Sequence, residues 1–436
     1  MLQSFIKKLC PKFVLDKYYS FRFFMYRKYN ALKHRQLIND TYRHYHDVAE
    51  RIRTSGDRPL RFASYVVFDS TFGAYGLMDL MLSQKDKYEC KIVVIPDTCR
   101  GVEHLVDQYN KTKAFFINKY GKDVVLDGWH EETGEFLDYS DSFDIIYLAN
   151  PYDSMVNEVH GVQYLSTKNV LPIYINYGYT ISKWHYTNVE SNMEMSLFFK
   201  YYVDTTYTLE QVKKYQLAHG KNTVLAGYAK MDSLYNEQAN EKRDRLKVLI
   251  SPHHTIQGIN QTLDLSNFLE YYNLILELPS LFPKMDFVFR PHPLLFTNIL
   301  NTKTWTQKQV DNYLLNIEKS GIEYSVGGDY FRLFCECDAI VHDCGSYMVE
   351  WLYTGKPCCY VVKGKHVRKQ LDILGNKALD YHTLAYNRND IIAFLKSLEK
   401  SQKPSNISSE IQDNIMINYP NVSNFILNNL LSKFEY

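Results

Sequence analysis

Three short polar segments carry most of the chemistry this chain can do: Pro252-His253-His254-Thr255, Arg290-Pro291-His292-Pro293 and His342-Asp343-Cys344-Gly345-Ser346. Each follows a short apolar run, at residues 247–250, 286–289 and 339–341. Histidine titrates near neutral pH, so His253, His254 and His292 can donate to a leaving phosphate or accept a proton. Arg290 can clamp phosphate oxygens through charge-assisted hydrogen bonds. Prolines on both sides of His292 stiffen its backbone, as a positioned side chain requires. The Gly345-Ser346 turn opens a helix carrying Glu350. Free N–H groups and a helix dipole there suit a diphosphate, although Ser346 would serve equally as a plain N-cap. His342 sits inside its strand end, where a core role fits as well.

No phosphate-binding loop of the Gly-x4-Gly-Lys-Ser/Thr type occurs, which disfavours ATPase and kinase chemistry. No Asp-x-Asp pair stands at a strand end, so neither a metal nor a cofactor is expected. Cys335, Cys337, Cys344, Cys358 and Cys359 crowd one stretch. Their C-x-C and C-C spacings are poor for tetrahedral zinc, and buried thiols are the expectation.

The elements that must position these residues come in two series. Short apolar runs at 61–69, 91–95, 124–126, 145–148 and 173–175 alternate with helical stretches, the first starting near Ala74. The charged run 241–247 marks a break, and a second alternation follows it. This pattern predicts α/β architecture, with parallel sheets covered on both faces and ligands beyond the strands' carboxyl ends. The expected division is a basic helical arm at 1–58, a Rossmann-like domain at 59–238, a second at 239–400 and a C-terminal helix at 401–436 that returns to the first domain.

The 436 residues suit two such domains, and a hydrophobic fraction of 45% supplies their cores. Fifty basic and 49 acidic residues leave a net charge of +1, which excludes a globally basic nucleic-acid binder. No apolar run reaches the roughly 18 residues needed to span a bilayer, and no signal-peptide core is evident. In the arm, Lys7, Lys8, Lys12, Lys17, Arg22, Arg27, Lys28, Lys33 and Arg35 interleave with Phe5, Phe13, Tyr18, Tyr19, Phe21, Phe23, Phe24 and Tyr26. That interleaving predicts contact with an anionic membrane surface; an ordinary helix packed on the first domain is the plainer alternative. The expected location is the cytoplasm, peripheral on the inner face of the cell membrane.

The C-terminal half resembles the CDP-glycerol glycerophosphotransferase family, which includes the teichoic acid polymerases and primases. Ala226-Gly227-Tyr228-Ala229-Lys230-Met231-Asp232 is similar to the family's Gly-Tyr-Pro-Arg-x-Asp element at the domain junction, with Ala229 and Lys230 replacing Pro and Arg. Residues 252–255 stand in place of its Pro-Thr-Trp strand end, 289–293 match its His-Pro loop, and 338–360 resemble its Asp-Tyr-Ser-Ser segment with the following acidic helix and Lys-Pro strand. The likeness covers roughly residues 200–365. It implies a GT-B fold, two Rossmann-like domains facing across a cleft. It also implies transfer of glycerol phosphate or ribitol phosphate from a CDP-activated donor to a hydroxyl of a lipid-linked or polysaccharide acceptor, with release of CMP. The implied donor-binding set is Gly227, Lys230, Arg290, His292, Asp343, Gly345, Ser346 and Glu350. Many family members carry Trp-His-Gly-Thr in the first domain, with the His as base. Here Tyr177 stands in its place, within Asn176-Tyr177-Gly178-Tyr179-Thr180. A phenol of pKa about 10 is a poor base at neutral pH, so His253 or His254 is the substitute expected. A nucleotide-sugar glycosyltransferase of capsule or lipopolysaccharide assembly, and a non-catalytic nucleotide-binding subunit, are the other readings. Self-association is left open.

Overall fold

A computed structural model of the chain describes residues 12–56, 58–237, 244–256, 263–326, 330–364, 366–400 and 407–432. Its strands form two all-parallel sheets. The first contains β1 (Leu60–Val66), β2 (Tyr88–Val94), β3 (Val125–Asp127), β4 (Ile145–Leu148), β5 (Leu171–Ile175), β6 (Lys200–Val203) and β7 (Thr223–Leu225), in the order β3-β2-β1-β4-β5-β6-β7. The second contains β8 (Leu246–Ser251), β9 (Met285–Phe289), β10 (Glu323–Tyr324), β11 (Ala339–His342), β12 (Cys358–Val361) and β13 (Thr383–Ala385), in the order β10-β9-β8-β11-β12-β13. Strands β4, β5, β11 and β12 are buried along their whole lengths, which explains their continuous apolar sequences. Strand order reverses between β1 and β4 and again between β8 and β11. Each reversal opens a crevice at the carboxyl edge of its sheet. The α/β expectation therefore holds, with two GT-B-like sheets and a long N-terminal helix.

Strands β6, β7, β10 and β13 were not anticipated. They are two to four residues long, too short for a period to register, and they complete the flanks of each sheet.

The N-terminal helix spans Lys12–Arg53 and behaves as two halves. Its C-terminal half docks on the first domain: Ile38, Tyr45 and Val48 are buried, Tyr42 donates to the Ser196 carbonyl at 2.9 Å, and Tyr45 donates to that of Leu197. Its N-terminal half leaves Tyr18, Tyr19, Phe21, Phe24, Tyr26 and Tyr29 exposed. Lys7, Lys8 and Phe5 lie outside the described residues.

Among the described residues the tail holds two helices, Ser409–Asn414 and Val422–Leu431. The second packs on the first-domain helix Tyr75–Leu82, and Tyr202 donates to Asn429 Oδ1 at 3.1 Å. The junction element 226–232 receives this returning chain. Asp232 accepts the N–H groups of Val422 and Ser423 at 3.1 and 2.7 Å, capping the final helix. Gly227 has φ +96°, and a Cβ there would lie 2.0 Å from the Ile417 carbonyl oxygen. Close backbone packing at a positive φ therefore requires glycine here.

Candidate functional site

The loops after β8 and β9 are laced together by backbone geometry. Arg290 N–H donates to Ile250 O at 2.9 Å, His292 N–H to Pro252 O at 2.9 Å, and Ser251 Oγ to Arg290 O at 2.7 Å. This brings His253, His254 and His292 into one group. Ring centroids lie 4.4 Å apart for His253 and His254, 4.2 Å for His254 and His292, and 5.3 Å for His253 and His292. His253 is buried, while His254 and His292 are half-buried. Burial pulls His254 down to about 4 and His292 to about 3, the latter helped by His254. His253 is held well below its ordinary value by burial and by the neighbouring histidines. All three rings are neutral at pH 7.

The third strand end contributes scaffolding. Asp343 is fully buried, and both its oxygens are taken by the chain: His253 N–H at 2.5 Å on Oδ1, with Asn267 N–H at 2.6 Å and Tyr271 Oη at 3.3 Å on Oδ2. It ties the β8 loop to the β11 end, which gives this residue of the expected donor-binding set a positioning role through the chain's own donors. Burial raises it to about 7, against the pull of those hydrogen bonds. His342 packs between Tyr360 and His382, each 5.2 Å away, in the core. Cys337, Cys344, Cys358 and Cys359 are buried thiols, as expected.

Gly345 and Ser346 open a helix of only four residues, Tyr347–Glu350. A Cβ on Gly345 would lie 3.3 Å from Ile181 Cδ1 of the first domain. This turn thus lies at the domain contact, and so short a helix offers little dipole. Ser346 is half-buried and makes no side-chain cap.

A second group forms beside Arg290. Arg290 donates to Ser325 Oγ at 2.8 Å and lies 5.7 Å from the Tyr330 ring centroid, with Lys230 Nζ at 4.8 Å from the same ring. Tyr330 Oη donates to Glu350 Oε2 at 2.7 Å, and Tyr228 Oη lies 3.4 Å from Oε1. Burial raises the Glu350 pKa, opposed by the charge of Lys230. Tyr228 also donates to the Tyr177 carbonyl at 2.7 Å, so this group reaches the first domain. The domains meet again where Tyr179 Oη lies 2.6 Å from Tyr353 Oη and Asp372 N–H donates to Ile181 O at 2.8 Å. Tyr177 Oη is 3.3 Å from Tyr152 Oη, and burial raises its pKa, which makes it a still poorer base.

One pair on the first domain escaped sequence reading. At the carboxyl end of β2, Asp97 is buried and its Oδ2 lies 3.6 Å from His104 Nε2 and 3.4 Å from Arg100 Nε. Cys99 N–H holds the other oxygen at 3.0 Å. The only sequence signal was an apolar run ending at Pro96-Asp97. All strands of this sheet are parallel, so the pair shares an edge with the Tyr177–Ile181 loop that touches the second domain.

No protein-family model matches the chain, and no curated protein matches it by sequence. Solved structures do. A variant of the wall teichoic acid polymerase TagF soaked with CDPG matches with TM-score 0.56 and 12% identity over 94% of this chain and 97% of that one. UDP-GlcNAc 2-epimerase from Neisseria meningitidis bound to UDP-GlcNAc matches with TM-score 0.55 and 14% identity over 85% and 99%. The S. aureus MnaA–UDP structure matches with TM-score 0.53 and 12% identity over 85% and 96%. The chain has the GT-B-like fold that these nucleotide-binding enzymes share.

Proposed function

We propose that the protein is a transferase that moves a polyol phosphate from a CDP-activated donor to a hydroxyl acceptor. The observation that carries the reading is the cluster of three histidines at the β8 and β9 ends, with Arg290 on the same β9 loop, in a chain whose fold matches a CDPG-soaked polymerase structure over 97% of that chain. The acceptor oxygen attacks the β-phosphorus, the bond from that phosphorus to the bridging oxygen breaks, and CMP leaves with the bonding electrons. Arg290 would neutralise charge growing on the diphosphate and the uncharged histidines would donate hydrogen bonds to it, and such preorganised donors act most strongly in a closed cleft. The acceptor's proton goes to a base on the first domain. We assign this role to His104, whose Nε2 lies 3.6 Å from Asp97 Oδ2, within ion-pair range of a carboxylate that Arg100 also faces, rather than to Tyr177. His253 and His254 were the bases expected from the sequence, but their low basicity fits donation better.

The epimerase matches favour a second reading, a nucleotide-sugar enzyme using the same crevice. Binding and turnover separate the roles. His104→Asn should keep CDP affinity within about two-fold while lowering transfer on the order of 100-fold, as loss of a general base does. Unchanged turnover in that variant would remove His104 from the mechanism.

A further inference from the structure

We infer that His253, His254 and His292 form a cradle of three N–H donors, their tautomers set by the surrounding chain, which takes a phosphoryl oxyanion and not a divalent metal ion. One ring nitrogen from each lies within 4.8 Å of one from each of the others, a spacing that either ligand could exploit. What the surrounding chain does with Nδ1 of each ring decides between them, because it fixes which nitrogen is left to meet a ligand and whether that nitrogen carries the proton. A metal-bound imidazole uses a lone pair, while its other nitrogen carries the proton and donates it to a carboxylate, carbonyl or water. Here every Nδ1 faces a donor.

Leu294 N–H donates to His292 Nδ1 at 3.1 Å. Thr255 N–H donates to His253 Nδ1 at 3.3 Å, and the Thr255 hydroxyl lies 2.9 Å from the same atom. That hydroxyl already accepts from Leu265 N–H at 3.1 Å, so its own proton is left for the ring. The Asn298 amide nitrogen lies 3.0 Å from His254 Nδ1 and also donates to the His254 carbonyl at 3.0 Å. Turning the amide round would set its oxygen against that carbonyl. A neutral imidazole has one N–H, and with Nδ1 accepting, the proton sits on Nε2. The low pKa values of the cluster keep the rings in this neutral form at pH 7. Three Nε2–H groups offer no lone pair to a metal and three donors to phosphate oxygens. Asn298, acting through His254, is a positioning residue. Only the identity of the anion, a nucleoside diphosphate, rests on the transferase reading.

The test uses the full chain labelled with 15N-histidine. Long-range proton–nitrogen spectra at pH 7 should show Nε2–H in all three rings. Inorganic phosphate and CDP should shift those signals, and Zn2+ should not coordinate them. Nδ1–H in any of the three, or stoichiometric Zn2+ coordination by the cluster, overturns the inference. Asn298→Asp sets an acceptor against His254 Nδ1 and should move that proton to Nδ1, weakening CDP binding about ten-fold or more. Leu294→Pro removes the backbone donor to His292 and should release its tautomer. Spectra left unchanged by both folded variants would also overturn the inference. CDP bound by an Nε2–H cluster without turnover of any CDP-polyol would instead refute the transferase reading alone.

Discussion

His292 and Asp343 belong to the same strand-end network and are expected to fail differently when altered. His292 is half-buried in a proline-stiffened loop and accepts the Leu294 N–H at Nδ1. Its replacement by Ala should lower transfer on the order of 100-fold and shift the melting temperature only slightly; turnover near normal would remove His292 from the site. Asp343 holds two backbone N–H groups from inside. Asp343→Asn forces an amide N–H against one of those donors, at a cost of about 1–3 kcal/mol in stability. The pH dependence has a defined sign. The folded pKa, about 7, lies above the unfolded value of roughly 3.9. The stability this carboxyl contributes is therefore fully present below pH ~4 and is lost as pH rises through about 7. Denaturation of both forms from pH 4 to 8 should show the deficit of the Asn variant narrowing as pH rises. A constant or widening gap would contradict the burial assigned to Asp343.

At the scale of elements, two segments have clear structural consequences. Gly227→Ala would force a Cβ to 2.0 Å from the Ile417 carbonyl at a positive φ. It should destabilise the fold by about 2 kcal/mol or more and loosen the returning C-terminal helix, with CDP affinity following stability. A folded Gly227→Ala protein that has lost CDP binding alone would restore a ligand role for this glycine. The N-terminal helix combines a docked half with an exposed aromatic and basic half. We expect the full chain to float with anionic vesicles and a form lacking residues 1–30 to do so much less. Each cation near the surface adds roughly 1 kcal/mol, and added salt should weaken binding over a screening length of about 8 Å. Equal flotation of both forms would leave the helix a packing element only.

Element-scale features were also the most legible in the sequence. The long apolar strands and their polar ends were visible because burial on both faces leaves continuous β-branched and aromatic runs. The grouping of His253, His254 and His292 followed from parallel-strand geometry. What stayed hidden depends on distant partners. Asn298 meets His254 from 44 residues away, and Asp343 turns inward because His253 and Asn267 offer it backbone donors. The Asp97–His104 pair has no motif, since its spacing across a loop into a helix looks like ordinary surface sequence.

For the whole molecule, the two sheets meet through tyrosines. Tyr228 bridges Glu350 and the Tyr177 carbonyl, and Tyr179 meets Tyr353. The final helix returns to the first domain and ties the two halves of the chain together. The central claim is that the bond broken lies within the diphosphate, and the nucleotide product reports this directly. The full chain should be incubated with CDP-glycerol, CDP-ribitol or UDP-GlcNAc and a hydroxyl acceptor, and the released nucleotide identified by chromatography. Release of CMP from a CDP-polyol, matched by phosphate gained on the acceptor, is the predicted result. A nucleoside diphosphate released from a nucleotide sugar, with no CMP from either CDP-polyol, would contradict it.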